Sequence, residues 1–328
     1  MRLSYPCSRI FAQIVISSAT FSFALSCAGA RVSDRQPYVV IGPPVQELPQ
    51  LFQQPEKWIQ TRAHTSAILT WDHLLAKWGD DDLRDSFAKM RLWNLDLQLE
   101  VGAIKEWGTT GAKTFAAGDP KWRRFQRLGA PLSSLAMDEP LIASRHLNLG
   151  LPYTVQETAN FIAYVRKNYP DVQIGDIEAY PSIELRDHYV WLDALQQRLR
   201  AMNARGLDFY RLDVDWMNFV VRNNGSWQEV RQLEEFCHSR KLRFDLIYWA
   251  ADYPSLRQKG VANDKTWYDG VMFQTNGYRN VGGTPDTVVV ESWVNAPSRA
   301  VPENDCTTFT GSVFELLRKL RAGAKLGI

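Results

Sequence analysis

The stretch Leu135-Ala-Met-Asp-Glu-Pro-Leu141 places strong limits on how this chain can fold. A short apolar run ends in two adjacent carboxylates, Asp138 and Glu139, and Pro140 then stops further backbone pairing. The same pattern recurs in Ile174-Gly-Asp-Ile-Glu178, in Phe209-Tyr-Arg-Leu-Asp-Val-Asp-Trp216 and in Val288-Val-Val-Glu-Ser-Trp293. Runs that bury their bodies and finish on acids need a fold that gathers strand ends at one solvent-facing rim. A parallel closed barrel does this, because all its strands point the same way.

Read in order, the chain offers eight strand-like runs, the four above among them: 38–42, 66–70, 95–101, 132–139, 172–178, 208–215, 243–249 and 286–293. Helical patterns separate them. Residues 80–92 carry acids in the first turn and apolar residues at helical spacing. A long loop through Trp107, Gly111 and Gly118 leads to a helix expected near Pro120–Leu128. Thr154-Val-Gln-Glu157 and Ser226-Trp-Gln-Glu229 have the spacing of capping boxes, predicting helices to about Lys167 and to Arg240. Further helices are expected over 55–62, 189–204, 263–278 and 310–326. This alternation predicts an α/β fold, a (β/α)8 TIM barrel spanning 38–328 as a single domain. An open doubly wound sheet shares the alternation, but Gly42-Pro-Pro after the first strand is no phosphate-cradling glycine turn.

Residues 1–30 have the form of a secretory signal peptide: Arg2 and Arg9, an apolar stretch from Ile10 to Leu25, and Ala28-Gly-Ala30 as the cleavage site. Residues 31–37 follow as a polar leader, and a lipid anchor at Cys27 ranks second. The expected location is secreted or periplasmic, with no transmembrane segment in the mature chain. A net charge of +2 without a basic block argues against a nucleic-acid partner. The histidines form no HxxxH-type pair and the cysteine spacing does not suit zinc, so no metal and no cofactor is expected. Cys237 belongs late in a helix and Cys306 after the last strand, an arrangement that disfavours a disulfide. No coiled-coil pattern stands out, and a monomer is the default.

Cleaving a glycosidic bond takes two carboxyl groups, one protonated as acid and one ionised as base or nucleophile. The strand ends offer Glu100, Asp138, Glu139, Glu178, Asp213, Asp215, Asp252 and Glu291. Glu139 is the leading acid, because a charged neighbour at Asp138 raises its pKa. Asp213 and Asp215 lie two apart and share a face of their strand, and Asp215 is the first partner with Glu178 as rival. Trp107, Trp216, Trp249, Trp293 and Tyr180 are candidate walls for stacking on a sugar ring, with Glu100 and Glu291 as polar contacts. No G-x-S-x-G elbow is present, and Cys237-His238 on a charged helix is a poor setting for thiol catalysis.

Asp138-Glu139-Pro140 after a fourth strand resembles the N-E-P motif of the large clan of (β/α)8 glycoside hydrolases, whose glutamate there is the acid/base. That resemblance implies the same role for Glu139. Two positions depart from the pattern: Asp138 replaces the asparagine, and the seventh strand ends Trp249-Ala-Ala-Asp252 without the clan's nucleophilic glutamate. The chain also resembles secreted bacterial barrel proteins sharing A-M-D-E-P-L, G-D-I-E and a final E/Q-S-W, here Glu291-Ser-Trp293, followed by Pro297 and Pro302-Glu303. The expectation is a glycosidase acting on an extracytoplasmic polysaccharide or oligosaccharide. Its rivals are a non-catalytic carbohydrate-binding barrel, or a lyase or transglycosidase on a similar polymer.

Overall fold

Eight parallel strands pair in strict sequence order, β1 with β2 through to β8, and β8 returns to β1 to close the barrel. The computed structural model describes residues 38–250 and 263–324. The strands are β1 Tyr38–Gly42, β2 Ala67–Trp71, β3 Asp96–Val101, β4 Leu132–Asp138, β5 Gln173–Tyr180, β6 Phe209–Val214, β7 Arg243–Tyr248 and β8 Thr287–Glu291. All eight predicted strands are present, so the chain is a TIM barrel. The signal-peptide and leader assignments, and Asp252, lie outside the described residues.

The helices are α1 Leu48–Gln53, α2 Ile59–Arg62, α3 Asp72–Leu75, α4 Asp80–Leu92, α5 Gly111–Arg127, α6 Pro140–His146, α7 Leu151–Asn168, α8 Leu185–Ala201, α9 Trp227–Ser239, α10 Asp264–Asn280 and α11 Phe309–Ala324. Two local expectations fail for identifiable reasons. Helix α5 begins at Gly111, well before Pro120, because the Thr110 side chain accepts the Lys113 N–H and caps it; Pro120 sits inside the helix. Helix α7 begins at Leu151 with Pro152 in its first turn, so Thr154 is already helical and its hydroxyl donates back to the Gly150 carbonyl at 3.2 Å. Ser226 does sit at the N-cap of α9, but without a side-chain cap, and Glu229 accepts from the Tyr180 hydroxyl instead.

Alternation along each strand sends one set of side chains to the helices and the other into the barrel. The interior set is unusually polar at mid-height. Arg211 on β6 is fully buried and donates to Gln98 Oε1 at 2.7 Å and to Asp245 Oδ2 at 3.2 Å. Asp245 also accepts from Arg243 at 3.1 Å. Removing either partner of a buried pair of this kind leaves an uncompensated charge in the barrel interior, which is strongly destabilising. Cys237 is buried on α9 and Cys306 is partly buried, and both are free thiols, in line with the sequence reading. No helix among the described residues is long and apolar enough to cross a membrane.

Candidate active site

A cleft of about 940 Å³ opens at the carboxyl ends of the strands. Five acids line it: Glu100 from β3, Asp138 and Glu139 from the end of β4, Asp213 from β6, and Asp215 just beyond β6. Trp71, Trp249 and Trp293 add aromatic surface. Trp249 and Trp293 pack with ring centroids 4.0 Å apart, and the Trp249 indole N–H donates to the Val214 carbonyl at 2.8 Å.

Glu139 occupies the junction between β4 and α6 with φ 51° and ψ 53°, a left-handed conformation that costs a non-glycine residue energy. The surroundings hold it there. Its N–H donates to the Ile177 carbonyl at 3.0 Å, and its own carbonyl accepts from Ala143 at 2.9 Å. Pro140 follows at the first helical position, where its missing N–H costs nothing. The next two N–H groups, of Leu141 and Ile142, donate to the Glu178 carboxyl at 2.5 and 3.2 Å. Backbone strain maintained by dedicated contacts points to a functional position.

The electrostatics differ sharply among the five acids. Burial pushes the Glu139 pKa up to about 7; Asp138 and Asp215 add to the rise, and Lys105 opposes it. Among the described residues, no hydrogen-bond donor reaches its carboxyl group. Asp215, by contrast, is ringed by hydrogen-bond donors. It accepts from the Ser182 hydroxyl, from the Asn218 N–H at 3.1 Å and from the Asn218 side-chain amide at 2.6 Å. Asp213 lies deeper, and burial, followed by Glu139, raises its pKa well above the usual aspartate range. Asp138 forms an ion pair with Lys105 at 2.6 Å.

Beneath these groups Glu100 meets Glu291, which reaches inward from β8. Gly42 on β1 makes room for that side chain, since a Cβ there would lie 3.1 Å from Glu291 Cγ. Burial, then Asp138, raises the Glu100 pKa to about 8, while the Glu291 carboxyl beside it lowers it; burial, then Glu100, lifts Glu291 well above the usual glutamate range. Both Glu291 carboxyl oxygens are buried, and no hydrogen-bond donor reaches either among the described residues.

Three sequence-predicted residues point elsewhere. On β5, Ile177 and Ala179 line the cleft, so the alternate residues Glu178 and Tyr180 face the helices. Glu178 is fully buried, and burial, then Asp176 and Glu139, push its pKa well up. It is a positioning residue that fixes the Glu139 turn. The Tyr180 hydroxyl donates to Glu229 and accepts the Ser226 N–H at 3.0 Å, which anchors α9. Trp216 is buried against Phe273, edge to face at 6.4 Å, away from the cleft. Trp107 lines an adjoining side cavity, and Glu291 supports Glu100 from below. The sequence reading missed Trp71, Lys105, Ser182 and Asn218. Of these, only Trp71 carried a sequence cue, an aromatic at a strand end. Among the described residues no group of His, Cys, Asp and Glu is arranged to hold a metal ion.

No family model matches the chain, and no curated protein matches it in sequence. Solved structures do match in fold. A fungal β-1,4-galactanase superposes with TM-score 0.55 at 12% identity, covering 85% of this chain and 99% of that one. An aldolase gives TM-score 0.48 at 9% identity over 90% of this chain and 99% of its own. A xylanase from Cellvibrio japonicus bound to xylopentaose gives 0.49 at 10% identity, over 80% and 60%. At these identities the likeness is one of fold alone: the chain is a TIM barrel, as its closed ring of eight parallel strands shows, and it shares that architecture with the galactanase.

Proposed function

We propose that the protein is a glycoside hydrolase acting on a polysaccharide or oligosaccharide outside the cytoplasm. One contrast carries this reading: Glu139 is held near a pKa of 7 with no donor among the described residues, in the same cleft as Asp215, a carboxylate surrounded by three donors. An acid and a base kept in opposed environments are what glycosidic cleavage requires. Protonated Glu139 donates to the bridging oxygen as its bond to the anomeric carbon breaks. Asp215 faces the positive charge that develops there, and the separation of the two carboxyls decides whether it attacks directly or activates water. Strands β4 and β6 are two strand spacings apart, roughly 9–10 Å. Trp249 and Trp293 supply an apolar wall for the sugar face. The extracytoplasmic location rests on the signal-like residues 1–30.

The test is a glycan panel assayed with the wild type and Glu139→Gln. Turnover should fall by roughly 100-fold or more in the variant while binding persists. A wild type that binds glycans and turns over none of them defines instead a carbohydrate-binding barrel, which the lack of a glutamate at the end of β7 would then explain.

A further inference from the structure

Beside the cleft, under the segment joining β3 to α5, lies a second cavity of about 390 Å³. It shares Trp71, His73, Glu100 and Asp138 with the cleft and continues past Lys105 and Trp107 to α5. We propose that this side cavity is a subsite for one uncharged sugar residue of the substrate, next to the bond that Glu139 protonates. The inference rests on the glycan reading of the cleft and extends it to substrate class.

The first support is Trp107. It is 49% exposed, yet the backbone fixes it: Lys105 and Gly108 exchange both N–H···O bonds, at 3.0 and 2.9 Å, closing the turn that carries the indole. Gly102 completes the fit, since a Cβ there would come within 3.0 Å of the Trp107 ring and 2.9 Å of Lys105 Cγ. A large indole held in place with half its surface bare is a ready platform for the C–H face of a pyranose.

The second support is the charge balance. Lys105 pairs with Asp138 at 2.6 Å, and Lys121 pairs with Asp72 at 2.8 Å. Trp122 Nε1 donates to the same Asp72 oxygen at 2.9 Å and fixes that wall. Each ammonium spends one of its three N–H donors on its carboxylate, which leaves others for a ligand's hydroxyls. Burial holds Glu100 largely protonated at pH 7, and burial together with nearby lysines keeps His73 mostly neutral. The cations are thus matched by carboxylates. A uronate or sulfate would meet Asp72 and Asp138 without an unspent positive charge, whereas a neutral polyol finds donors and acceptors on both walls. Asp138 lines both cavities and directly precedes Glu139, so a ring seated here adjoins the reacting bond.

The experiment titrates full-chain Glu139→Gln by calorimetry with neutral gluco-, manno-, galacto- and xylo-oligosaccharides and with oligogalacturonates. Trp107→Ala removes the platform, and Ala117→Phe, on the exposed rim of α5, fills the cavity. Neutral oligosaccharides should bind, and each added substitution should weaken them about 10-fold. Tighter binding of oligogalacturonates, or affinity unchanged by Ala117→Phe, overturns the proposal. Trp107-dependent binding in a protein that turns over no glycan overturns the hydrolase reading and supports the subsite. With Glu139 intact, glycan turnover indifferent to both substitutions overturns the subsite and supports the hydrolase reading.

Discussion

Replacing Glu139 by glutamine should stabilise the protein, and by an amount that depends on pH. The native carboxyl titrates near 7 against an ordinary glutamate value of 4.5. Between those values the folded chain keeps a proton that the unfolded chain has released. The native state then binds more protons, so stability falls as pH rises. Below about pH 4 both states are protonated and no penalty exists; above about pH 8 both are ionised and the penalty is complete. The full separation corresponds to roughly 3 kcal/mol. Glu139 is only partly buried, and water at the cleft mouth reduces this to about 1–2 kcal/mol. Glutamine has the same shape without the charge. Urea unfolding should therefore find Glu139→Gln equal to the wild type near pH 4 and about 1–2 kcal/mol more stable near pH 8. Equal stability at both pH values, or a less stable variant near pH 8, refutes the claim that the fold holds this carboxyl protonated.

Further outcomes follow from the same geometry. Activity needs protonated Glu139, so kcat/KM should decline above about pH 7, approaching a tenfold loss per pH unit; a flat profile from pH 6 to 9 contradicts that role. Glu178→Ala strands the Leu141 and Ile142 N–H groups and should cost about 2–4 kcal/mol in thermal unfolding. Glu178→Gln, which keeps an acceptor, should recover much of both stability and kcat, with KM little changed throughout. In Glu291→Gln the new amide donates to Glu100 and adds no charge. NMR of isotope-labelled glutamate carboxyls should then show Glu100 still titrating near its wild-type value of about 8, since burial and Asp138 raise it; a clear fall contradicts that cause.

The fold was legible because each strand end carried its own mark. Acids closing apolar runs located β4, β5, β6 and β8, and parallel strands buried on both faces read as continuous apolar segments. That same continuity hid the facing of β5. In Ile174-Gly-Asp-Ile-Glu-Ala-Tyr180 both faces are buried, so no alternation showed that Glu178 and Tyr180 turn outward while Ile177 and Ala179 face the cleft. Asp213 and Asp215 were readable as a pair because a separation of two residues fixes a common face. The Glu100–Glu291 contact was beyond sequence reading, since it crosses the barrel from β3 to β8 through space left by Gly42. The start of α5 was obscured by Gly111, Gly118 and Pro120, residues that usually interrupt helices. Lys105 carried no mark at all; its pairing with Asp138 depends on the turn closed at Gly108.

The leaving-group dependence of turnover in Glu139→Gln tests the general-acid assignment most directly. Natural glycans have poor leaving groups that must be protonated, whereas a nitrophenyl glycoside departs without help. If Glu139 is the acid, the variant loses roughly 100-fold or more on the glycan and keeps most of its rate on the nitrophenyl substrate. Equal losses on both, or no loss on the glycan, contradict the assignment.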